Sequence, residues 1–274
     1  MSSSKRRRVS PEDEESEAQP AVVQSSPATR IPVDDTLSAN LDAIPQLLIV
    51  ELQKDEPADV LAALQRICKM VEANDCENDQ DPAVKNWKEM KELGPIPLVV
   101  ICMRKWPHQH DIQSMACDTL ANMVHVAGSV GRLAITKCGG VEVVVRAITK
   151  FQSPGDVELQ REAIRTLQNT FAIKDGDPKV ISDGMIRFVK KLKGVELIVG
   201  MTKAFPDHVS LLHSTCGLFY NLSCFKENHD MLVKSGAVEA AAAIQKRYFN
   251  NDDLRTEAEE FLTKMFTTNS KKKS

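Results

Sequence analysis

The chain has 274 residues, of which 42% are hydrophobic, 27% charged and only 5% aromatic, and its formal net charge is −3. Few aromatic residues beside many Leu, Ala, Val and Ile favour helix-on-helix packing over β-sheets. The slightly acidic balance argues against a dedicated nucleic-acid binder, whose domain is usually basic. We find no apolar run of bilayer length and no apolar segment of a secretory signal, so we expect a soluble, intracellular protein.

The two ends of the chain differ in composition from its middle. Residues 1–40 are rich in Ser, Pro and Glu and contain little to bury, so we expect a disordered N-terminal tail. Residues 269–274 are rich in Lys, and we expect a second disordered tail there. Between them, residues 41–268 contain short amphipathic segments separated by Gly and Pro, which predicts one helical domain.

A compact basic run lies in the N-terminal tail and comprises Lys5, Arg6, Arg7 and Arg8. Such a run suits the acidic groove of an import receptor, so we interpret it as a nuclear localisation signal. Phosphorylation of Ser10 would add negative charge beside it and could tune recognition. The alternative is a solvated basic tail without an address. We therefore expect the protein in the nucleus, in the cytoplasm or in both.

Glycine and proline recur along the middle of the chain at intervals of about 40–55 residues, a period typical of helical solenoids. The glycines that follow a short apolar helix are Gly94, Gly139, Gly194 and Gly236. Glycine at such a point supplies the left-handed backbone that ends a helix. Each long helix is preceded by a helix-breaking turn, at Pro107, Pro154, Pro206 and Asn250-Asn251.

Four long segments share a second pattern, in which a large, a small and a large residue are spaced four apart and a polar residue follows. The segments are Ile112-Ala116-Leu120 with Asn122, Leu159-Ala163-Leu167 with Asn169, Leu211-Thr215-Phe219 with Asn221, and Leu254-Ala258-Leu262 with Lys264. Residues four apart lie on one helix face, and the small residue permits close approach of a neighbouring helix. The pattern therefore predicts a repeated long helix that packs on the next.

One repeat thus contains a short helix, a turn, a long helix, a linker and a second short helix that ends at glycine. We predict about five such units. Their expected spans are 41–94, 95–139, 140–194, 195–236 and 237–268. An acidic insertion interrupts the first unit at residues 73–82, and extra residues around 174–178 predict a loop in the third.

The segments ANMVH, QNTFA and YNLSC resemble the end of the third helix in the armadillo repeat family. The resemblance implies an all-α, right-handed superhelical solenoid of about five armadillo/HEAT-like repeats, with third helices lining a concave groove. It also implies that Asn122, Asn169 and Asn221 line this groove and hold the backbone of an extended peptide, because an amide both donates and accepts hydrogen bonds. A structural alternative is that each Asn ties neighbouring backbone groups together.

The groove positions depart from those of the nuclear-import adaptors of this family, which carry Trp four residues before each Asn. This sequence has Asp118, Arg165 and Gly217 there, and Lys264 and Lys69 replace Asn in the flanking units. The resemblance therefore does not support binding of a basic import signal. Mixed charge, with Asp118 beside Arg165, favours polar selectivity in the groove instead.

We predict no metal, cofactor or catalytic site. His108 and His110 lack further ligands at zinc spacing, and Asp175 and Asp177 lack the remaining oxygens of a calcium loop. Cys138 precedes a helix, but glycines at that junction have a backbone reason, so we reject a nucleophile. The other cysteines that lie in apolar stretches are expected to be buried free thiols: Cys68, Cys102, Cys117, Cys216 and Cys224.

These patterns predict a non-enzymatic scaffold or adaptor that binds peptides or helices of other proteins in a concave groove. The expected partners are proteins, including an import receptor at the basic run, and neither nucleic acid nor membrane. An alternative is a regulatory co-chaperone or nucleotide-exchange factor that clasps a partner domain. An enzyme built on the same scaffold would need converging titratable residues, and the spacing shows none.

Overall fold

The computed structural model describes residues 49–73, 76–174 and 176–270, with side chains up to residue 267. Within these ranges every long regular element is an α-helix and there is no β-strand. The helices are α1 Pro57–Met70, α2 Pro82–Met90, α3 Pro95–Lys105, α4 His110–Lys137, α5 Gly140–Lys150, α6 Val157–Thr170, α7 Lys179–Lys190, α8 Gly194–Ala204, α9 Val209–Ser223, α10 His229–Lys234, α11 Ala237–Arg247 and α12 Asp252–Ser270. Three short 3-10 helices are Lys91–Leu93, Pro154–Asp156 and Lys226–Asn228.

Helix α4 contains a break, because Gly128 has a φ of 57° and a ψ of −130°. A residue with a side chain adopts this conformation rarely, so the glycine separates a long helix from a following short one. The part of α4 after Gly128 ends at Lys137, and it is the short helix that the repeat pattern predicts before Gly139.

Glycine ends the short helix at three of the four predicted junctions. Gly94, Gly139 and Gly236 have φ values of 64°, 72° and 81°. At the remaining junction the prediction is wrong, because Lys193 is the left-handed residue, with a φ of 50°, and Gly194 is the first residue of α8. A Cβ atom at position 194 would lie within 2.5 Å of the Phe188 ring, so close backbone approach requires glycine there.

The helices form five repeating units, numbered 1 to 5, that cover 49–94, 95–139, 140–193, 194–236 and 237–270. The third helices α1, α4, α6, α9 and α12 pack each against the next, and the second helices are α3, α5, α8 and α11. Stepwise stacking of this kind is the architecture of a helical solenoid. The extra length of unit 3 lies in the irregular segment 171–178 and in α7, which has 12 residues where its counterpart α10 has 6.

One apolar core runs through all five units, from Ile49 to Met265. The predicted apolar stripes of α4, α6 and α9 are buried. In α12 the first two residues of the stripe, Leu254 and Ala258, are buried, and Leu262 is partly buried against the core. The adjacent Phe261 is fully buried, and its ring packs against Phe219 with centroids 5.5 Å apart.

Free thiols occupy the interior at four of the five predicted cysteines, namely Cys68, Cys102, Cys117 and Cys216. Burial raises the pKa of Cys216 to about 12, which keeps the thiol protonated at neutral pH. The prediction for Cys224 is wrong, because this residue is exposed. It follows Ser223, the last residue of α9, and so leaves the buried face of that helix.

Candidate functional site

A groove runs beside the third helices of units 1 to 4 and has a volume of about 590 Å³. Its lining is mainly polar. The residues are Cys68, Glu72, Ala73, Asp118, Asn122, His125, Arg161, Glu162, Arg165, Gln168, Asn169, His213 and Ser214. We call it the third-helix groove. Of the five residues predicted to line it, four do so, namely Asp118, Asn122, Arg165 and Asn169, whereas Asn221 does not.

The three asparagines make one recurring contact, each with the third helix of the preceding unit. The Nδ2 atom of Asn169 donates to the Ala121 carbonyl at 2.9 Å, and that of Asn221 donates to the Gln168 carbonyl at 2.9 Å. In the first member of the row, Nδ2 of Asn122 contacts the Cys68 sulfur at 3.3 Å. The structural role that we considered, a bond to a neighbouring backbone group, is thus present in Asn169 and Asn221, whereas Asn122 contacts a side-chain sulfur.

The three asparagines form a row along the third helices, and they differ in whether the Oδ1 atom already accepts a hydrogen bond. The Oδ1 atom of Asn122 accepts from Arg165 Nη1 at 2.8 Å. Within the described residues, Oδ1 of Asn169 and Oδ1 of Asn221 have no donor. An amide oxygen accepts hydrogen bonds only, so these two atoms can accept from the backbone N–H groups of another chain.

Arg165 lies at the centre of an ion-pair network in the groove wall. Its guanidinium group contacts Asp118 at 2.7 Å and Glu162 at 2.6 Å, in addition to Asn122. The predicted proximity of Asp118 and Arg165 is a direct contact between units 2 and 3. Because a planar guanidinium donates to several acceptors at once, Arg165 fixes the relative positions of α4 and α6.

Glu162 is the buried member of the network, with a side chain that is 6% exposed. Burial raises the pKa of its carboxyl group, and the guanidinium groups of Arg165 and Arg161 act in the opposite direction. Arg161 also pairs with Glu158 at 2.8 Å. The wall therefore contains two cations among three carboxylates, and it presents both signs of charge to a ligand.

The third helices of units 4 and 5 extend the same face, but the side chains at corresponding positions differ from those of units 2 and 3. Gly217 occupies the position that Asp118 and Arg165 hold in units 2 and 3, and a Cβ atom there would lie 2.9 Å from Cδ of Gln168. The Gln168 side chain thus fills the space that a larger residue would need. Beyond it, His213 pairs with Glu257 at 3.4 Å, and burial raises the pKa of Glu257.

Sequence reasoning missed Glu162, Gln168 and Glu257, which complete the wall. They lie on the same helices as the predicted residues but outside the repeated motif, so no spacing signalled them.

The alignment of Lys69 with the asparagines of the other units follows from two corresponding backbone contacts. Thr119 Oγ1 contacts the carbonyl of Leu64, five residues before Lys69. Thr166 Oγ1 likewise contacts the carbonyl of Cys117, five residues before Asn122.

Three of the residues considered for metal binding have other contacts, and Asp175 lies outside the described residues. His110 contacts Asp156 at 3.2 Å, and His108 contacts Lys150. Asp177 pairs with Arg132 at 2.9 Å. Within the described ranges, no three His, Cys, Asp or Glu side chains cluster as a metal ion would require. Burial raises the pKa of the Cys138 thiol, which disfavours a reactive thiolate.

Among the described helices, none has both the length and the apolar character that crossing a bilayer requires. The basic run Lys5, Arg6, Arg7 and Arg8, together with Ser10, lies outside the described residues. Its interpretation as a nuclear localisation signal stays a prediction.

Comparison with known proteins gives one family match and several structural ones. The family model described as LRRK2 ARM repeat matches residues 90–274. No curated protein matches the chain. Two crystal structures of engineered proteins from the Northeast Structural Genomics Consortium align over 81% of this chain and over 96% and 98% of theirs. Their identities are 18% and 14%, and their TM-scores are 0.57 and 0.53.

A designed armadillo repeat protein aligns over 81% of this chain and 99% of its own, with 12% identity and a TM-score of 0.51. At such identities the structural matches concern the fold alone. The predicted all-α solenoid of armadillo type is confirmed.

Proposed function

Because this chain belongs to the LRRK2 ARM repeat family, we propose that it is a non-catalytic scaffold that binds segments of other proteins along its third-helix groove. Armadillo-type solenoids commonly mediate protein–protein binding through the extended surface that stacked repeats create. We expect the third-helix groove to be the surface that performs this binding, and its chemistry to determine the kind of segment that it binds.

The main support is that the two polar atoms of the asparagine side chains have different roles. Each Nδ2 group ties one unit to the preceding one, while the Oδ1 atoms of Asn169 and Asn221 keep their acceptor capacity. An extended peptide carries a regular series of backbone N–H groups, which such acceptors can bind. The row of asparagines therefore suits an extended segment of a partner chain.

The ion-pair network supplies the selectivity. Asp118 and Glu162 flank Arg165 at 2.7 Å and 2.6 Å, so a ligand cation meets carboxylates and a ligand carboxylate meets guanidinium groups. A partner with a single sign of charge is attracted by one part of the wall and repelled by the other. We expect a segment with polar or alternating charges.

The test is quantitative affinity purification with the full chain and with Asn169→Ala/Asn221→Ala. We expect loss of the recovered partners, because this variant removes the Oδ1 acceptor of Asn169, which lines the groove, and that of Asn221, the next member of the row. It also removes two contacts between units, so it needs a matched control. Thr166→Val breaks the 2.8 Å bond from Thr166 Oγ1 to the Cys117 carbonyl at a buried position behind the groove wall.

Retention of partners by Thr166→Val and their loss from the asparagine variant would support the groove. Equal loss from both variants would mean that unit stacking, and not the groove, determines recovery. Unchanged recovery with the folded asparagine variant would remove the groove from the mechanism.

We further propose that Lys5, Arg6, Arg7 and Arg8 direct the protein into the nucleus. Replacing all four by Ala in a fluorescent fusion should shift the protein toward the cytoplasm. Replacing Lys271, Lys272 and Lys273 by Ala is the matched control, because it removes a similar charge from the opposite end of the chain. An unaltered distribution of the N-terminal variant would contradict this proposal.

A further inference from the structure

A second groove lies between the second helices α8 of unit 4 and α11 of unit 5, with Leu212 of α9 in its lining, and has a volume of about 570 Å³. Its lining is mainly apolar and includes Pro206, Leu212, Ala240, Ala243, Ile244 and Tyr248. Lys203 and Arg247 also line it, and Glu239 is the only carboxylate among its described lining residues. We call it the second-helix groove of units 4 and 5.

A groove at corresponding positions lies between α3 of unit 2 and α5 of unit 3, with a volume of about 430 Å³. Arg104 and Lys203 each precede the last residue of α3 and α8, and Lys150 and Arg247 each end α5 and α11. The basic residues at the rim are therefore a repeated feature of the solenoid, and they do not depend on one local sequence.

The two grooves differ at two positions that determine their interior. In units 2 and 3, Gln113 Nε2 donates to the carbonyls of Met103 at 2.8 Å and Trp106 at 3.0 Å. The corresponding residue of unit 4 is Leu212, which is buried and cannot donate. The long side chain of Arg146 lines the groove of units 2 and 3, and its counterpart in unit 5 is Ala243. The groove of units 4 and 5 is therefore wider and more apolar.

Among the described lining residues of this wider groove, two cations, Lys203 and Arg247, stand against one carboxylate, Glu239. Lys203 is exposed and makes no ion pair with a described residue. Arg247 pairs with Asp207 and lies 6.0 Å from the centre of the Tyr248 ring. A ligand that places carboxylates near Lys203 and Arg247 meets attraction at two points, while its apolar part replaces water over the alanines.

We propose that the second-helix groove of units 4 and 5 docks an acidic peptide segment of a partner protein. The segment inserts one Leu, Ile or Val side chain over Ala243 against Leu212, and its flanking carboxylates face Lys203 and Arg247. This site is formed mainly by second helices, whereas the third-helix groove is lined by third helices, and the two grooves share no described lining residue. It takes apolar, acidic segments where the third-helix groove suits polar ones of mixed charge.

The experiment measures fluorescence polarisation of a labelled peptide of about a dozen residues, with one central Leu flanked by Glu. We expect saturable binding to the full chain that weakens as NaCl rises, because exposed charges are screened. Ala243→Arg installs the residue of the narrower groove at an exposed position. It should weaken binding at least tenfold even though it adds a positive charge. Replacing the peptide's Leu by Ala should have a similar effect.

Charge reversal provides the independent variant. Lys203→Glu should weaken binding of the Glu peptide and improve binding of the same peptide with Lys in place of Glu. Arg146→Ala, which removes a positive charge from the groove of units 2 and 3, is the matched control and should not weaken binding of the Glu peptide. A far-ultraviolet circular dichroism melt of each variant checks that the fold is retained.

Binding of the Glu peptide that stays equal or becomes tighter in Ala243→Arg would overturn the proposal, because attraction would then be electrostatic without an apolar pocket. Weakening by Arg146→Ala that matches the weakening by Lys203→Glu would overturn it as well, because the peptide would then not distinguish the two grooves. Absence of binding to the unaltered chain at millimolar peptide would also contradict it.

Discussion

The apolar core joins units 2 and 3 as it joins units 4 and 5, but the buried contacts added to it include ion pairs and hydrogen bonds at the first interface and an aromatic pair at the second. The 2–3 interface contains the pair Arg132–Asp177 at 2.9 Å and the contact of Arg165 with Asp118 at 2.7 Å. The 4–5 interface contains the ring pair of Phe219 and Phe261. The same stacking geometry is thus stabilised by two kinds of chemistry.

A single position of the third helix shows how this change occurs. Thr119 and Thr166 bond through their hydroxyl groups to carbonyls of the preceding unit. In units 4 and 5 the corresponding residues are Leu218 and Phe261, both fully buried. Hydrogen bonds fix direction, while apolar contacts supply area. The polar groove wall therefore belongs to the part of the solenoid whose units are joined by directional contacts.

The largest expected effect comes from Arg132→Ala at the 2–3 interface. The side chains of Arg132 and Asp177 are only 8% and 4% exposed, so removing one leaves a buried charge without its partner. We expect a loss of about 3 kcal/mol in the free energy of unfolding, measured by urea denaturation. Lys88→Ala, which removes the exposed pair with Asp79, is the control and should change the free energy much less. A similar small effect of both variants would contradict the account.

Two threonine substitutions should differ in sign. Thr166→Val removes the hydroxyl that donates to the Cys117 carbonyl and should cost about 1 kcal/mol of unfolding free energy. Thr215 Oγ1 is buried and has no hydrogen-bond partner among the described residues. Thr215→Val should therefore be neutral or stabilise the protein by up to about 1 kcal/mol. Equal destabilisation by both variants, in the same denaturation measurement, would weaken the distinction.

The pH dependence of stability should separate Glu257 from Glu158. Burial raises the pKa of Glu257, so its contribution to folding is present below its unfolded pKa and is lost as pH rises through the folded value. Glu257→Gln should be slightly more stable than the unaltered chain at pH 7, by up to about 0.5 kcal/mol. This advantage should disappear near pH 4, where the carboxyl is protonated in both states.

Glu158 provides the opposite sign. Burial acts to raise the pKa of Glu158, but the hydrogen bond from Arg161 and the contact with His208 lower it overall. Its contribution to stability is therefore present at neutral pH and is lost as pH falls through the acid range. Glu158→Gln should be less stable than the unaltered chain at pH 7. Thermal melts of the two Gln variants across this range would contradict the account if both shifted in the same direction.

The smallest effect is expected at an exposed contact that occurs at corresponding positions of the two interfaces; we call this position the corner of each interface. Lys150 of unit 3 contacts His108 of unit 2, and at the corresponding corner Arg247 of unit 5 contacts Asp207 of unit 4. His108→Asp would give the first corner a carboxylate like the second. We expect a gain of at most about 0.5 kcal/mol that decreases in 1 M NaCl. A loss of stability at low salt would show that the two corners are not equivalent.

Much of the fold could be predicted from the sequence because helix periodicity and helix-ending residues are local signals. The glycines at 94, 139 and 236 adopt the expected left-handed backbone, and the long helices begin after the expected turns. The exceptions depend on contacts between distant residues. Gly194 begins α8 where a Cβ atom would clash with the Phe188 ring, and Lys193 is the left-handed residue. In α12, Phe261 is more deeply buried than Leu262 and packs on Phe219.

The candidate site was less predictable. The motif located Asn122, Asn169 and Asn221, but it did not show that their Nδ2 groups bond to the preceding unit. The partners are two carbonyls and one cysteine sulfur about 50 residues away, which no local pattern indicates. The second-helix groove was missed entirely. A signal for it exists in the pairs Lys105-Trp106, Lys150-Phe151 and Arg247-Tyr248, where a basic residue precedes an aromatic one at the end of a second helix.

The central claim is that charged side chains of the third helices hold units 2 and 3 together while they form the groove wall. A double-mutant cycle with Asp118→Ala and Arg165→Ala, read out as urea unfolding free energies, tests it most directly. The account predicts a coupling free energy of about 1 kcal/mol between the two positions, because the pair is partly buried and shares Arg165 with Glu162. A coupling indistinguishable from zero would contradict it.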